Sequence, residues 1–181
     1  PWAKALVFLQ DGFPLVLIGE SLVLRKEDAW QVIVKDVGPS VFTARLTQAD
    51  DGTVWLVVPG ALWRISEDLE ESSVVMKPSG QNRLESFCQD SSGDLWVIER
   101  TGDLSSRLIH IPLANSRPKA ESEWKEIPVP YKNNSGEAQV IAGDEGLIWY
   151  ANSSIQSGGL EAFDPRRDEW VMRGRPGPCY S

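Results

Sequence analysis

The chain is 181 residues long, with 18 Lys and Arg against 26 Asp and Glu, a formal net charge of −8 at neutral pH. That balance argues against a nucleic-acid partner, because a protein that neutralises phosphates needs a basic face. The hydrophobic (41%) and charged (24%) fractions are those of a globular domain, which excludes general disorder. No run of about 18 apolar residues is present to span a bilayer; residues 15–24 come nearest and are broken by Gly19, Glu20 and Ser21.

Residues 1–8 hold one Lys and a short apolar run, without the charged region, long core and small-residue cleavage site of a signal peptide. A start at Pro1 reads as a trimmed chain. Cys88 and Cys179 lack the paired spacing of a zinc site and cannot make a disulfide framework, so they read as reduced thiols of a cytoplasmic protein. Two glycosylation triplets, Asn133-Asn134-Ser135 and Asn152-Ser153-Ser154, keep secretion as the alternative.

Along the chain one unit recurs. Gln10-Asp11-Gly12-Phe13-Pro14-Leu15 opens it faintly; Asp50-Asp51-Gly52-Thr53-Val54-Trp55, Asp90-Ser91-Ser92-Gly93-Asp94-Leu95-Trp96 and Asp144-Glu145-Gly146-Leu147-Ile148-Trp149 repeat it with Trp three residues after Gly. The glycines fall at 12, 52, 93 and 146, spacings of 40, 41 and 53 residues. A second glycine-led run follows each turn, at Gly19, Gly60, Gly102 and Gly159, and acidic or Gly-rich turns between β-prone runs are hairpin chemistry. Trp30-Gln31-Val32-Ile33 lies 25 residues before Trp55, and Trp124-Lys125-Glu126-Ile127 lies 25 before Trp149. Trp170-Val171-Met172 is a related strand near the end, and helical periodicity is nearly absent.

Short strands in units of about 40 to 50 residues, with one phased tryptophan each, predict an all-β fold of β-propeller blades. The repeat gives about four visible four-stranded blades at 1–29, 30–73, 74–122 and 123–164, with 165–181 as closing strand and tail. The first unit lacks an upstream Trp strand and the last is followed by one. The Trp170 strand is therefore expected to complete the first blade of a closed small ring; an arc of a larger propeller, with further blades from the same or another chain, is the alternative.

The order Trp-x-x-Ile/Val, Asp-Gly-x-Val-Trp, Gly-x-Leu-x-Arg resembles the tectonin-type β-propeller repeat, most clearly over residues 30–66 and 124–163. The two-component regulator propeller is the runner-up, since its Asp-x-x-Gly-x-Leu-Trp turn is similar to residues 90–96. Its usual Gly-Thr pair after Trp is missing at Val57-Val58, Ile98-Glu99 and Ala151-Asn152. The tectonin-type resemblance implies a non-enzymatic protein-interaction scaffold, used in membrane traffic or autophagy or in lectin-like recognition, with no fixed catalytic set and no cofactor. With the reduced thiols, the expected location is cytoplasmic, peripheral to membranes.

Candidate sites are weighed on chemistry. His110 is the single imidazole and alternates with Ile109 and Ile111, which points to a structural or surface role. A streptogramin-lyase-like lyase or hydrolase, the enzyme alternative, would want more histidines. The acidic turns at Asp50, Asp51, Asp90, Asp94, Asp144 and Glu145 read as turn chemistry and not as calcium loops. Trp55, Trp96 and Trp149 read as blade packing. Trp63, beside Arg64, reads as the most exposed tryptophan and the preferred contact for a protein partner, or for a sugar in a carbohydrate-binding lectin. Trp30 with Ile33 and Trp124 with Ile127, each behind acidic residues, resemble the peptide that adds a strand to a ubiquitin-like autophagy modifier, although both sit at the repeat's own strand position. Three polar loops, 113–123, 131–137 and 173–181, and the basic cluster of Arg166, Arg167, Arg173 and Arg175 complete the set.

Overall fold

A computed structural model describes residues 2–38, 44–130, 137–153 and 159–171. The chain divides into two compact units, Pro1–Leu84 and Glu85–Ser181.

The first unit holds two antiparallel sheets. In the first sheet β1 (Ala3–Phe8), β2 (Pro14–Ile18), β3 (Ser21–Lys26) and β4 (Ala29–Val34) pair in sequence order. Its opening hairpin is set by the acidic turn: the Asp11 carboxylate accepts the Phe13 amide (3.1 Å), and Gly12, at φ +87°, donates its amide to the Leu9 carbonyl (2.8 Å). Few residues but glycine hold that conformation cheaply. Strand alternation then sends Leu15, Leu17, Leu22 and Leu24 to one face, where all are buried. The second sheet follows as β5 (Arg45–Gln48), β6 (Val54–Val58), β7 (Ala61–Ile65) and β8 (Ser72–Met76). Val54, Leu56, Val58 and Ile65 from this sheet join the four leucines in one core. Each such side chain contributes about 1.5–3 kcal/mol by leaving water. On the other face of the second sheet Trp55, Val57 and Leu62 are also fully buried.

The second unit is built alike. One sheet has the order β14-β11-β10-β9, from β9 (Arg83–Gln89), β10 (Leu95–Arg100), β11 (Ser106–Ile111) and β14 (Lys125–Pro128). Between β11 and β14 the chain makes a small hairpin, β12 (Leu113–Ala114) with β13 (Arg117–Pro118), and a 3-10 turn at Glu121–Glu123. The other sheet runs β15 (Ala138–Ala142), β16 (Ile148–Asn152), β17 (Gly159–Asp164) and β18 (Glu169–Val171). Trp96, Ile98, Leu108, Val140, Tyr150 and Phe163 form the core between the two. Edge-on contacts of Trp170 with Phe163 (5.5 Å) and with Tyr150 (6.2 Å) extend it.

The repeat was legible, but its phase is one strand later than the sequence reading places it. The Trp30 strand is the fourth strand of the first sheet, paired to β3 through Arg25↔Trp30 and Leu24↔Gln31. Val74 lies on the fourth strand of the second sheet, and the strand after Trp124 is the edge of the third. Trp170 pairs with Phe163 inside its own sheet, so the described part of that strand does not complete the first blade. Chain locality is the reason. Lys26 and Ala29 are joined by a two-residue turn with Glu27 at φ +55°, and Asp164 and Glu169 by a turn in which Asp168 donates to the Asp164 carbonyl (2.9 Å). Closing so short a loop costs far less entropy than returning a strand across the chain.

Candidate functional site

A cleft of about 610 Å³ opens in the first unit at the turn end of its two sheets. Its walls come from the β1–β2 turn (Gln10, Asp11), the facing ends of β3 and β4 (Lys26, Gln31) and the β7–β8 turn (Glu67, Asp68, Glu70). Two glutamines hold the turns together: the Gln10 amide donates to Gln48 Oε1 (2.8 Å), Gln10 Nε2 to the Asp50 carbonyl (3.0 Å), and Gln48 Nε2 to the Gly52 carbonyl (2.9 Å). The β7–β8 turn is equally constrained, since Asp68 accepts from the Ser66 hydroxyl and from the Glu70 amide (3.1 Å), while Ser66 Oγ accepts the Glu71 amide (2.9 Å). The Ser66 hydroxyl, then the Glu70 amide, hold the Asp68 carboxyl below its ordinary value, so it stays anionic. Glu67 lies directly over Gly52. Four lining carboxylates thus face one lining cation, Lys26, whose ammonium sits 5.8 Å from the Phe13 ring centroid.

A second constellation lies in the other unit. Asp90, Asp94 and His110 offer ligand-type atoms all within 4.8 Å of one another. Structural bonds already occupy them. Asp90 Oδ1 accepts the Ser92 and Asp94 amides (2.8 and 3.1 Å), its Oδ2 accepts the Trp96 indole N–H (2.8 Å), and Asp94 Oδ1 accepts the Leu113 amide (2.8 Å). His110 Nε2 lies 3.0 Å from Asp94 Oδ2, and its ring stacks on Trp96. The turn aspartates therefore act as backbone acceptors, as turn chemistry requires; Asp51 does the same for the Thr53 amide (3.0 Å). Burial, then the charge of Asp90, push the Cys88 thiol up to about 12, which disfavours its thiolate.

The residues singled out from sequence are not brought together. Trp63 is half-buried against the core of the first unit and donates its N–H to the Val37 carbonyl (3.2 Å), which corrects its reading as the exposed tryptophan. It pairs with Leu56 on the inward face of β7, and alternation turns Arg64 to the other face. Trp30, at 52% exposure, and Trp2, at 89%, are the exposed indoles instead. Ile33 packs on the core while Trp30 faces away from it; Trp124 gives its N–H to the Lys119 carbonyl (3.1 Å), and Ile127 is buried. Ile33 and Ile127 thus lie on strands paired into their own sheets, at the sheet edge in both cases. Trp55 and Trp96 are buried as expected of blade packing, and Trp149 is half-covered against Gly143. Arg166 and Arg167 both reach Asp164, at 3.4 and 3.6 Å. Arg173, Arg175, Met172, Cys179, loop residues 131–136 and 173–181, the Asn133 triplet and Ser154 of the other lie outside the described residues.

Sequence reasoning missed a buried polar network in the second unit. Glu85, 1% exposed, pairs with Arg100 (3.2 Å) and accepts the Ala138 amide on its other oxygen (3.1 Å). Burial pushes the Tyr150 phenol up, and the Ser106 hydroxyl counters it. Glu99 is fully buried against Arg107, which also meets Glu126. Charged residues closing an apolar strand, as in Val97-Ile98-Glu99-Arg100, were the available signal.

No protein-family model and no curated protein matches the chain. Solved structures do. Against a catalytically inactive virginiamycin B lyase of Staphylococcus aureus, solved with quinupristin, the TM-score is 0.73 at 15% identity, covering 97% of this chain and 56% of that one. The chain has the β-propeller fold. A luciferin-regenerating enzyme gives 0.64 at 12% identity, over 97% of this chain and 64% of that one. PorZ, a surface component of the type-IX secretion system of Porphyromonas gingivalis, gives 0.63 at 11%, over 95% and 27%. The chain spans between half and two thirds of the length of the two enzymes. No helix among the described residues is long and apolar enough to cross a membrane.

Proposed function

We propose that this chain is a non-enzymatic binding scaffold that receives an extended, Lys- or Arg-bearing segment of a protein partner in the cleft of its first unit. The observation that carries this reading is the cleft's charge: Asp11, Glu67, Asp68 and Glu70 against Lys26 alone among the lining residues. The turns that present these carboxylates are fixed by hydrogen bonds, so little ordering entropy opposes binding. Acidic walls also attract and orient a cationic segment during encounter. The tectonin-type resemblance of residues 30–66 and 124–163 supports a scaffold and extends the proposal to a cytoplasmic role in membrane traffic. The groups best suited to catalysis, His110, Asp94 and Cys88, are held in structural contacts or kept neutral, which favours binding over turnover.

Titration calorimetry with equal-length Lys-rich and Glu-rich peptides tests it. The Lys-rich peptide is expected to bind, to weaken at least ~10-fold in Glu67→Lys with Glu70→Lys, and to weaken with added salt. Equal affinity for both peptides, or no loss in the double variant, rejects the cleft. A wild-type turnover abolished in His110→Ala would replace the scaffold with an enzyme.

A further inference from the structure

The cleft draws mainly on one face of the first sheet, with Val32 of the other face at its edge; the rest of that other face has no such role. Alternation and register put Lys4, Leu6, Phe8, Arg25, Trp30 and Val32 there, with Leu6↔Val16↔Val23↔Val32 as one cross-strand row. Leu6, Phe8, Trp30 and Val32 are 53, 64, 52 and 46% exposed. Isolated apolar residues on a surface need no explanation, but a contiguous apolar sheet face does.

The last sheet shows a counterpart. Its face away from the Phe163 core carries the row Ile141↔Trp149↔Ala162↔Val171, with Leu160 beside it. Ile141 is 58% and Leu160 42% exposed. Charge distinguishes the two surfaces. Lys4 and Arg25 flank the first, whereas Glu137 and Glu169 flank the second, the latter also approached by Arg167 (3.6 Å). Within each unit apolar sheet faces of this kind already bury one another.

We infer that two copies of this chain associate head to tail, the exposed face of the first sheet of one copy seating on the exposed face of the last sheet of another. Apolar rows supply the driving force, and the opposite flanking charges select first-on-last over like-on-like pairing. The contact is heterologous, so each copy keeps one unused face and association continues with concentration.

Sedimentation of the full chain from about 1 to 100 µM, the range in which moderate protein contacts form, tests this. Wild type is expected to rise above the mass of one chain. Phe8→Glu, on the first face, and Ile141→Glu, on the last, are each expected to stay single, with circular dichroism confirming their folds. Mixed together, they should form a one-to-one pair and stop, because each keeps one complementary face. A wild type that stays single throughout overturns the inference. So does association of Phe8→Glu alone or of Ile141→Glu alone, since either would show like-on-like pairing. Lys4→Glu with Arg25→Glu should weaken pairing at least ~10-fold and recover it against Glu137→Lys with Glu169→Lys; failure to recover rejects the proposed orientation.

Discussion

The imidazole of His110 lies on the indole of Trp96, ring centroids 4.4 Å apart and planes 20° from parallel, while the two rings are tethered to Asp94 and Asp90. One repeat turn thus supplies both anchors. The same Asp-to-Trp spacing that sets the hairpin fixes the aromatic pair, and the single histidine becomes part of the blade's packing. Replacing His110 with Ala removes a stack worth about 0.5–1.5 kcal/mol and a hydrogen bond to a carboxylate worth about 1.5–3 kcal/mol. We expect His110→Ala to lower unfolding free energy by roughly 2–4 kcal/mol, measured by urea denaturation with tryptophan fluorescence. His110→Phe should recover the stacking share alone. A loss under about 0.5 kcal/mol would show that the pair is incidental.

Gly52 and Gly93 occupy equivalent turns at φ +83° and +88°, yet a methyl group meets different neighbours at each. A Cβ on Gly52 would lie 2.5 Å from Glu67 Cγ and 3.1 Å from its Cβ; on Gly93 the nearest atom is Gln89 Nε2 at 3.7 Å. Both alanines carry the backbone cost of positive φ, about 1–2 kcal/mol. Only Gly52→Ala must also displace the Glu67 side chain. It is expected to cost at least ~1 kcal/mol more than Gly93→Ala in thermal or urea unfolding, and Glu67→Ala in the same chain, which deletes the Cγ and keeps the Cβ, should remove most of that excess.

Particular residues show what the sequence made legible. Gly12, Gly52, Gly93 and Gly146 all sit at positive φ in hairpin turns, so a repeat read from Asp, Gly and Trp spacing is a repeat of backbone geometry. Sheet membership was less visible, because Trp30 marks a strand without saying on which side of the turn its partner lies. Short turns decide that, and Glu27 and Asp168 at φ +55° and +59° carry weaker signals than glycine. Trp63 misled for a related reason: exposure depends on which face of a strand a residue takes, and a shift of one position reverses it. The cleft was illegible because Asp11 on the β1–β2 turn, Gln31 on β4 and Glu67 on the β7–β8 turn are brought together only by folding.

Glu85 and Arg100 test the buried network. The two are 1% and 6% exposed, and the Glu85 carboxylate serves both the guanidinium and the Ala138 amide. Glu85→Ala removes the carboxylate that serves a buried cation and an amide, and costs of about 3–5 kcal/mol follow for such losses. Glu85→Gln keeps an acceptor for Ala138 and is expected to cost less. The double variant Glu85→Leu with Arg100→Met should recover most of the loss, because a buried pair replaced by apolar groups of similar volume is close to neutral. Chemical denaturation of the three variants checks the order. A Glu85→Ala chain as stable as wild type would mean that Arg100 is satisfied without Glu85.

Asp164 sets an acid limit on the last sheet. Removal from water raises its pKa, but the Arg166 amide and guanidinium, and then Arg167, outweigh that and hold the carboxyl below its ordinary 3.8. A carboxylate depressed in the folded state adds stability that is complete above its unfolded value and is lost as pH falls through the folded one. The β17–β18 turn is therefore expected to keep its full stability above about pH 4 and to loosen progressively below. Asp164→Asn removes the titration: the variant should be less stable than wild type at neutral pH, with the gap closing as pH drops toward 2. Hydrogen exchange of the Arg166 and Asp168 amides, followed from pH 5 to pH 2 and corrected for intrinsic rates, reads the turn directly. Protection that stays constant in wild type across that range, or falls equally in Asp164→Asn, would assign the acid sensitivity elsewhere.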